Sequence, residues 1–153
     1  MPQHSLVKFH FQNISFSFRN RRILKAFIAS VFKQQGKDLG YLDYVFCTDK
    51  ELLRINRAYL GHDYYTDIIT FDLSSGSGPI NAEIYISVER TKENAQVFHV
   101  SKKEELLRVI LHGALHLCGY RDKSKSDRLL MKKKEDFYLL KFHAFHVKHA
   151  RIR

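Results

Sequence analysis

The stretch that most constrains the fold of this chain is residues 111–122, LHGALHLCGYRD, an apolar run that carries two histidines and ends in a glycine. His112 and His116 are four residues apart, so on a helix their imidazoles lie on one face, one above the other. Most of the remaining helix surface is apolar, which predicts that this helix lies in the centre of the fold. Gly119 ends the helix, because glycine readily adopts the left-handed conformation found at helix ends. The turn that follows brings Asp122 towards the two imidazoles.

A divalent metal ion is predicted at these three side chains, His112, His116 and Asp122. Three protein ligands with one open position are typical of a catalytic metal site. The alternative is a pair of structural histidines, although imidazoles are costly to bury without partners. We predict one Zn²⁺ per chain, but the ligand types do not exclude iron, manganese or nickel, because two histidines and a carboxylate also form the facial triad of iron oxygenases. Zinc proteases carry a glutamate base directly after the first histidine, and Gly113 at that position argues against a protease.

Length and charge narrow the class of protein. A chain of 153 residues is expected to form a single domain, residues 1–153, with a basic tail from about residue 141. The formal net charge of +10 favours a polyanionic partner, most commonly nucleic acid. No apolar run is long enough to cross a bilayer and the first residues lack a secretory-signal pattern, so we predict a cytoplasmic protein with no membrane partner. Basic side chains gather in three groups: Arg19, Arg21, Arg22 and Lys25; residues 132–134; and Lys141, Lys148, Arg151 and Arg153.

Hydrophobic periodicity predicts an α+β fold, an α/β-like sandwich with a roughly four-stranded mixed sheet and about five helices. Strands are predicted near residues 7–14, 40–47, 66–71 and 81–87, of which the third is expected to be buried and the last two to form a hairpin across the loop at 74–79. Helices are predicted from Asn20 to about Gly36, from Thr48 or Asp49 to Tyr59, from Ser87 to about Phe98, from Ser101 through the histidine pair, and from about Ser126 into the tail. In the second helix the residues expected to face inward are Leu52, Leu53, Ile55 and Tyr59. The last helix runs through Leu129, Leu130, Phe137 and Leu140.

Several motifs resemble the YbeY family of metal-dependent endoribonucleases. They are HGALHLCGY at residues 112–120, INRAY at 55–59, TDIITF at 66–71 and EIYIS at 83–87, with Met131 and Glu135 also matching. The resemblance covers about residues 40–140 in the family's order and spacing. It implies a single-strand-specific, zinc-dependent endoribonuclease that acts in late ribosome assembly and matures the 3′ end of small-subunit (16S) rRNA. The implied partners are ribosomal RNA and the small ribosomal subunit, with no small-molecule organic cofactor.

The chain departs from the family pattern at three positions. Asp122 occupies the place of the third metal ligand, which is usually histidine in the family, and a carboxylate there preserves ligation. With two neutral imidazoles and one carboxylate, a divalent ion keeps about one net positive charge, against about two with three histidines. Leu60 replaces an arginine implicated in activity, and Ala82-Glu83 replaces a glycine-aspartate pair.

Positive charge beside the metal is needed to stabilise a phosphodiester transition state. Arg121, next to a ligand, and Arg108, one turn before His112, are the predicted catalytic cations, with a surface or salt-bridge role as the alternative for each. Arg57 is a third candidate. Asp67, at the start of a strand, is assigned a role beside the ligands or the substrate, with a loop-capping role as the alternative.

Other polar and aromatic residues carry weaker hypotheses. Glu83 is expected either to orient a ligand imidazole or to lie at a strand end. Histidine recurs at every third residue at His143, His146 and His149, which allows a second metal site. The basic composition of this segment favours the alternative of a solvated, RNA-facing or disordered end. Tyr64 and Tyr65 are candidates for stacking on unpaired bases.

Two functions compete with the endoribonuclease hypothesis. One is a ribosome-assembly RNA-binding factor with a structural metal and little nuclease activity, which the departure at Leu60 favours. The other is a metal hydrolase or oxygenase that acts on small molecules.

Overall fold

The computed structural model describes residues 6–16 and 19–150, with side chains through Lys148. Within these ranges the chain forms four strands and five helices. They are β1 (Val7–Phe11), α1 (Arg21–Gln34), β2 (Leu39–Cys47), α2 (Asp49–Leu60), β3 (Ile68–Asp72), β4 (Ile80–Ser87), α3 (Val88–Phe98), α4 (Lys102–Leu117) and α5 (Lys125–Ala150). The predicted α+β fold with a four-stranded sheet is therefore confirmed. The predicted tail from about residue 141 continues α5 as far as Ala150, and residues 151–153 lie outside the described part.

The sheet is mixed, with the strand order β1-β2-β4-β3. β1 and β2 are parallel, β2 and β4 are parallel, and β3 pairs with β4 in the antiparallel sense. The predicted hairpin of the third and fourth strands is thus confirmed. β3 is an edge strand in which only Ile69 is buried, so the prediction that this whole strand is buried was wrong.

The histidine-bearing helix α4 is central, as predicted. It contacts α1, α3 and α5 as well as β3 and β4. One face of the sheet, which includes Tyr44 on β2 and Ile84 on β4, is fully buried in the core that also contains the apolar side of α4. The Tyr44 hydroxyl donates a hydrogen bond of 2.9 Å to the backbone carbonyl of Ile110, which ties α4 to the middle of the sheet. The ends of α4 therefore have a fixed position relative to the strands.

Three helices begin where the sequence predicts. The side-chain oxygens of Thr48, Ser87 and Ser101 each accept a hydrogen bond from the backbone N–H three residues later, which satisfies a donor that the first helical turn leaves free. Ser101 and Glu104 have the spacing of a capping box, in which the glutamate would turn back to the N–H of Ser101. The Glu104 carboxylate instead lies 3.0 Å from the ring of His143 on α5. This contact joins the start of α4 to the second half of α5.

Tyr59 does not face inward, contrary to prediction. Its side chain is 69% exposed, and its ring packs edge-on against Phe71 at a centroid distance of 6.1 Å. The buried polar residue of α2 is instead Asn56, whose amide donates a hydrogen bond of 2.9 Å to the backbone carbonyl of Tyr64. Asn56 thereby holds the loop that leads from α2 into β3.

The inward face of α5 is set by tertiary packing. The apolar residues Leu129, Leu130, Phe137 and Leu140, through which this helix is traced from the sequence, are all exposed. The buried side chains are Met131, Glu135, Tyr138, Leu139 and Phe142. Apolar residues occur on both sides of this helix, so periodicity alone does not select the side that packs on α1 and α4. Within the described residues, no helix combines the length and apolar composition that a membrane span requires.

Close packing of α4 on the sheet depends on Gly113. A Cβ atom added at Gly113 would lie 2.8 Å from Cδ1 of Ile84 and 2.9 Å from Cδ1 of Ile68. We therefore expect Gly113→Val to lower the free energy of unfolding by about 2 kcal/mol, because extra methyl groups overpack a filled core. The matched control is Ala26→Val on the exposed side of α1, which should cost about 0.6 kcal/mol through helix propensity alone. Chemical denaturation measures both, and equal losses would contradict the packing argument.

Candidate metal centre

The end of α4 and the link to α5 bring the three predicted ligands together. His112 and His116 lie on one face of α4 with ring centroids 4.5 Å apart. Beyond the helix, Gly119 has φ +107° and turns the chain back. Oδ2 of Asp122 then lies 3.3 Å from Nε2 of His112 and 3.2 Å from Nε2 of His116. The potential ligand atoms all lie within 4.8 Å of one another, a spacing that suits a single ion.

Each imidazole is oriented by a contact through its other ring nitrogen. Nδ1 of His112 lies 2.6 Å from Oε2 of Glu135, and Nδ1 of His116 lies 2.9 Å from the backbone carbonyl of Tyr120. A carbonyl only accepts hydrogen bonds, so the His116 contact places the proton on Nδ1 and leaves the Nε2 lone pair free. The carboxylate of Glu135 does the same for His112. Such outer contacts are typical of histidines that bind metal, and the donor set therefore fits a divalent ion.

Glu135 on α5 connects the metal-binding face to Arg108. Its other carboxylate oxygen lies 2.8 Å from the Arg108 guanidinium, which also reaches Asp136 at 2.5 Å. Burial lowers the pKa of His112, but the hydrogen bond to Glu135 and the charges of Glu135 and Asp122 outweigh that effect and raise it. The carboxylates of Glu135 and Asp122 thus favour positive charge at the His112 ring.

Asp67 lies close enough to this cluster to interact with it electrostatically. Burial raises the pKa of Asp67, while the charge of His112 acts to lower it. Oδ2 of Asp67 accepts a hydrogen bond of 3.2 Å from the amide of Asn94 on α3, and its backbone carbonyl accepts one of 2.9 Å from Ser87. Asp67 therefore joins the start of β3 to α3 beside the ligands, and both roles considered from the sequence remain compatible with its position.

A groove of about 580 Å³ opens beside the ligands. Its volume lies within the ~300–1,000 Å³ range of small-molecule sites. It is bounded by the end of α3, one face of α4, the link that carries Asp122, and the first half of α5. Its walls combine apolar side chains with charged ones, among them Phe98, Glu105, Arg128, Met131 and Lys132.

The predicted cations occupy different environments. Arg108 lines the groove, but its guanidinium is bound by two carboxylates. Arg57 donates a hydrogen bond to Asp63. Arg121 is exposed and, among the described residues, forms no ion pair. Of the three, Arg121 is therefore the cation whose charge is available to a substrate, and its catalytic role stays a prediction.

Glu83 does not orient a ligand imidazole. It accepts a hydrogen bond of 2.9 Å from the hydroxyl of Tyr85. Side chains alternate along a strand, so Glu83 lies on the face of β4 opposite Ile84 and away from α4. Glu135 takes the role proposed for Glu83.

The histidines of α5 point to separate partners. His143 contacts Glu104, and Nε2 of His146 lies 2.8 Å from the side-chain amide of Asn20. The side chain of His149 lies outside the described residues. Among the residues that are described, only the His112 cluster brings three potential ligands together, and nothing supports a second metal site in α5.

Sequence reasoning gave no role to Glu105, Lys132 or Arg128, all of which line the groove. Glu105 was detectable, because it lies seven residues before His112 and so on the same helix face. Arg128 and Lys132 could not be detected in this way, because their closeness to the metal-binding face depends on how α5 crosses α4.

Comparison with known sequences identifies the family. The sequence model of a family described as Endoribonuclease YbeY matches residues 7–143 of this chain. The chain belongs to the YbeY family. The resemblance predicted from residues 40–140 is thus confirmed and extends towards both ends of the chain.

Individual relatives agree with this assignment. The endoribonuclease YbeY of Flavobacterium psychrophilum is 46% identical over 138 residues, which cover 90% of this chain and 97% of that protein. The endoribonuclease YbeY of Cytophaga hutchinsonii is 43% identical over 130 residues, covering 85% of this chain and 91% of the relative. The solution structure of TM1509 from Thermotoga maritima shares the fold, with a TM-score of 0.59, 24% identity, and coverage of 90% of this chain and 92% of that one.

Proposed function

We propose that this chain is a metal-dependent endoribonuclease that cleaves single-stranded RNA. We further propose that it acts in late ribosome assembly on the small subunit, where it matures the 3′ end of 16S rRNA, and that it uses one Zn²⁺ per chain. Relatives named as endoribonucleases support RNA cleavage. The net charge of +10 supports a polyanionic substrate.

The observation that carries the proposal is the arrangement of His112, His116 and Asp122. The three side chains converge at one point, and both imidazoles are held through Nδ1 by Glu135 and the Tyr120 carbonyl. Three protein ligands beside an open groove match a catalytic site better than a closed four-ligand structural site.

The residues around the cluster have distinct tasks in this proposal. A divalent ion bound there would supply Lewis-acid polarisation of a phosphoryl oxygen. Arg121 and Lys132 attract the phosphates of the strand and place one of them beside the cluster. Asp67, which lies close enough to His112 to interact with its charge, is assigned a role on the substrate side. Glu135 keeps the His112 ring in one tautomer throughout.

The competing function is an RNA-binding assembly factor with a structural metal. Two observations favour it: Leu60 stands at the exposed end of α2 in place of an arginine, and Arg57 and Arg108 are both paired with carboxylates. These features reduce the positive charge available for a transition state but leave the charge for binding RNA.

Metal removal separates the two functions. Purified protein is incubated with single-stranded ribosomal RNA as prepared, after chelation, and after addition of Zn²⁺ or Mn²⁺. We expect cleavage to cease after chelation and to return with metal, while RNA binding changes less than cleavage, because charge supplies most non-specific affinity. RNA binding without cleavage under any of these metals would favour the assembly factor.

A further inference from the structure

Glu105 is an isolated buried carboxyl group beside the metal-binding face. It is 4% exposed and lies on α4, one turn before Arg108 and two turns before His112. In the parts of the chain that are described, its carboxylate has no hydrogen-bond or salt-bridge partner. In the described part of the chain, every side-chain oxygen that solvent cannot reach has a hydrogen-bond partner. The Glu105 oxygens have none, so they are in contact with the open space of the groove that Glu105 lines.

Within the described residues, the rest of the protein gives this carboxyl group no donor. Its side chain is buried except where its oxygens meet the groove, and Arg108, the nearest cation on its helix face, is engaged by Glu135 and Asp136. Burial and the charge of Asp67 raise the pKa of Glu105 to about 7. A ligand in the groove that donates a hydrogen bond to Glu105 would explain why a carboxyl group occupies this position.

The rest of the groove indicates what kind of ligand that is. Phe98 is 60% exposed at the end of α3 and Val100 is 42% exposed just after it, so both add apolar surface to the groove that Glu105 lines. Arg128 and Lys132 add positive charge from α5. These three features fit a nucleotide. Its base can stack on the apolar surface, the edge of the base can donate hydrogen bonds to the carboxyl group, and its anionic phosphate can bind the cations.

We infer that this groove is a nucleobase subsite in which Glu105 recognises a base carrying an amino group, guanine best and uracil least. The inference rests on the proposed function, since the nucleotide is part of a bound RNA strand. Glu105 and His112 are seven residues apart, roughly 10 Å along the helix axis. A nucleotide that is attached to a phosphate at the cluster therefore extends along α4 towards Glu105.

The order of preference follows from hydrogen-bond chemistry. In its ionised form, which prevails above the pKa of about 7, the Glu105 carboxylate only accepts hydrogen bonds, so it matches base edges that donate. Guanine offers a ring N–H and an amino group side by side, which can bind both carboxylate oxygens. Cytosine and adenine offer one amino group next to an acceptor nitrogen. Uracil offers one N–H between two carbonyl oxygens, which repel a carboxylate.

Binding of mononucleotides to the full chain tests the subsite without requiring cleavage. The affinities of guanosine, cytidine, adenosine and uridine monophosphates are measured by calorimetry on metal-free protein. We expect guanosine monophosphate to bind about tenfold more tightly than uridine monophosphate. Glu105→Gln should reduce that ratio to about two, because an amide presents one acceptor and one donor. Glu104→Gln is the matched control, since Glu104 faces His143 outside the groove, and it should keep the wild-type ratio.

The outcomes distinguish the subsite from the enzyme. Equal affinities for all four nucleotides, or an unchanged ratio in a Glu105→Gln protein whose thermal midpoint is that of wild type, would overturn the subsite. If that Glu105→Gln protein still cleaves RNA in the presence of metal, the subsite is rejected while the proposed endoribonuclease function is kept. Guanosine-selective binding that depends on Glu105, in a chain that cleaves no RNA with any metal, would support the subsite and reject the endoribonuclease.

Discussion

A His116→Ala protein is expected to lose its divalent metal and its RNA cleavage together. Among the described residues, His116 is one of the three potential ligands that converge, and its ring is already fixed by the Tyr120 carbonyl. Loss of a contact that merely orients a ligand reduces metal affinity by about 10–100-fold, so removal of a ligand should exceed about 100-fold. Metal content after purification, measured by mass spectrometry, and cleavage of single-stranded RNA test the two losses.

The matched control is His143→Ala. His143 is also a helical histidine beside a carboxylate, but it contacts Glu104 on the other end of α4. We expect this protein to keep the metal content and cleavage of the wild type. A His116→Ala protein that retains stoichiometric metal would show that the ion lies elsewhere, and a loss of metal in His143→Ala would point to α5.

The ligands could be predicted from the sequence because they are close in the chain. His112 and His116 share a helix, and the turn at Gly119 is local, so helix periodicity and glycine chemistry suffice to place Asp122 near both rings. The same holds for the caps at Thr48, Ser87 and Ser101, which depend on residues only three positions away. Local rules therefore gave the element order and the metal-binding face.

The contacts that orient and surround this face depend on tertiary packing. Glu135 reaches His112 only because α5 packs on α4 with Met131 and Glu135 inward, and the apolar residues on both sides of α5 hid that choice. Tyr59 follows the inward periodicity of α2, yet its side chain is 69% exposed and its ring packs only edge-on against Phe71. Helix periodicity shows which residues share a face, but the neighbouring elements decide which face is buried.

A Glu135→Gln protein is expected to bind its divalent metal about 10–100-fold more weakly than the wild type while keeping its three ligands. Glu135 accepts the Nδ1 proton of His112, which leaves Nε2 as the ligand atom. A glutamine amide can donate as well as accept, so it also stabilises the tautomer with the proton on Nε2, which cannot bind metal. The carboxylate charge that favours a cation at the site is lost too. Competition with a chelating dye measures the affinity.

Asp136→Asn separates this orienting role from the salt bridge to Arg108. Both substitutions remove one carboxylate partner of Arg108, but Asp136 does not touch His112. We expect Asp136→Asn to change metal affinity by less than about twofold, because an exposed ion pair contributes at most about 1 kcal/mol and here lies outside the ligand set. Equal weakening in the two proteins would mean that the charge balance at Arg108, and not the tautomer of His112, controls the metal. If only Glu135→Gln weakens binding, the position of α5 against α4 sets the affinity of a site whose ligands all come from α4 and the turn that follows it.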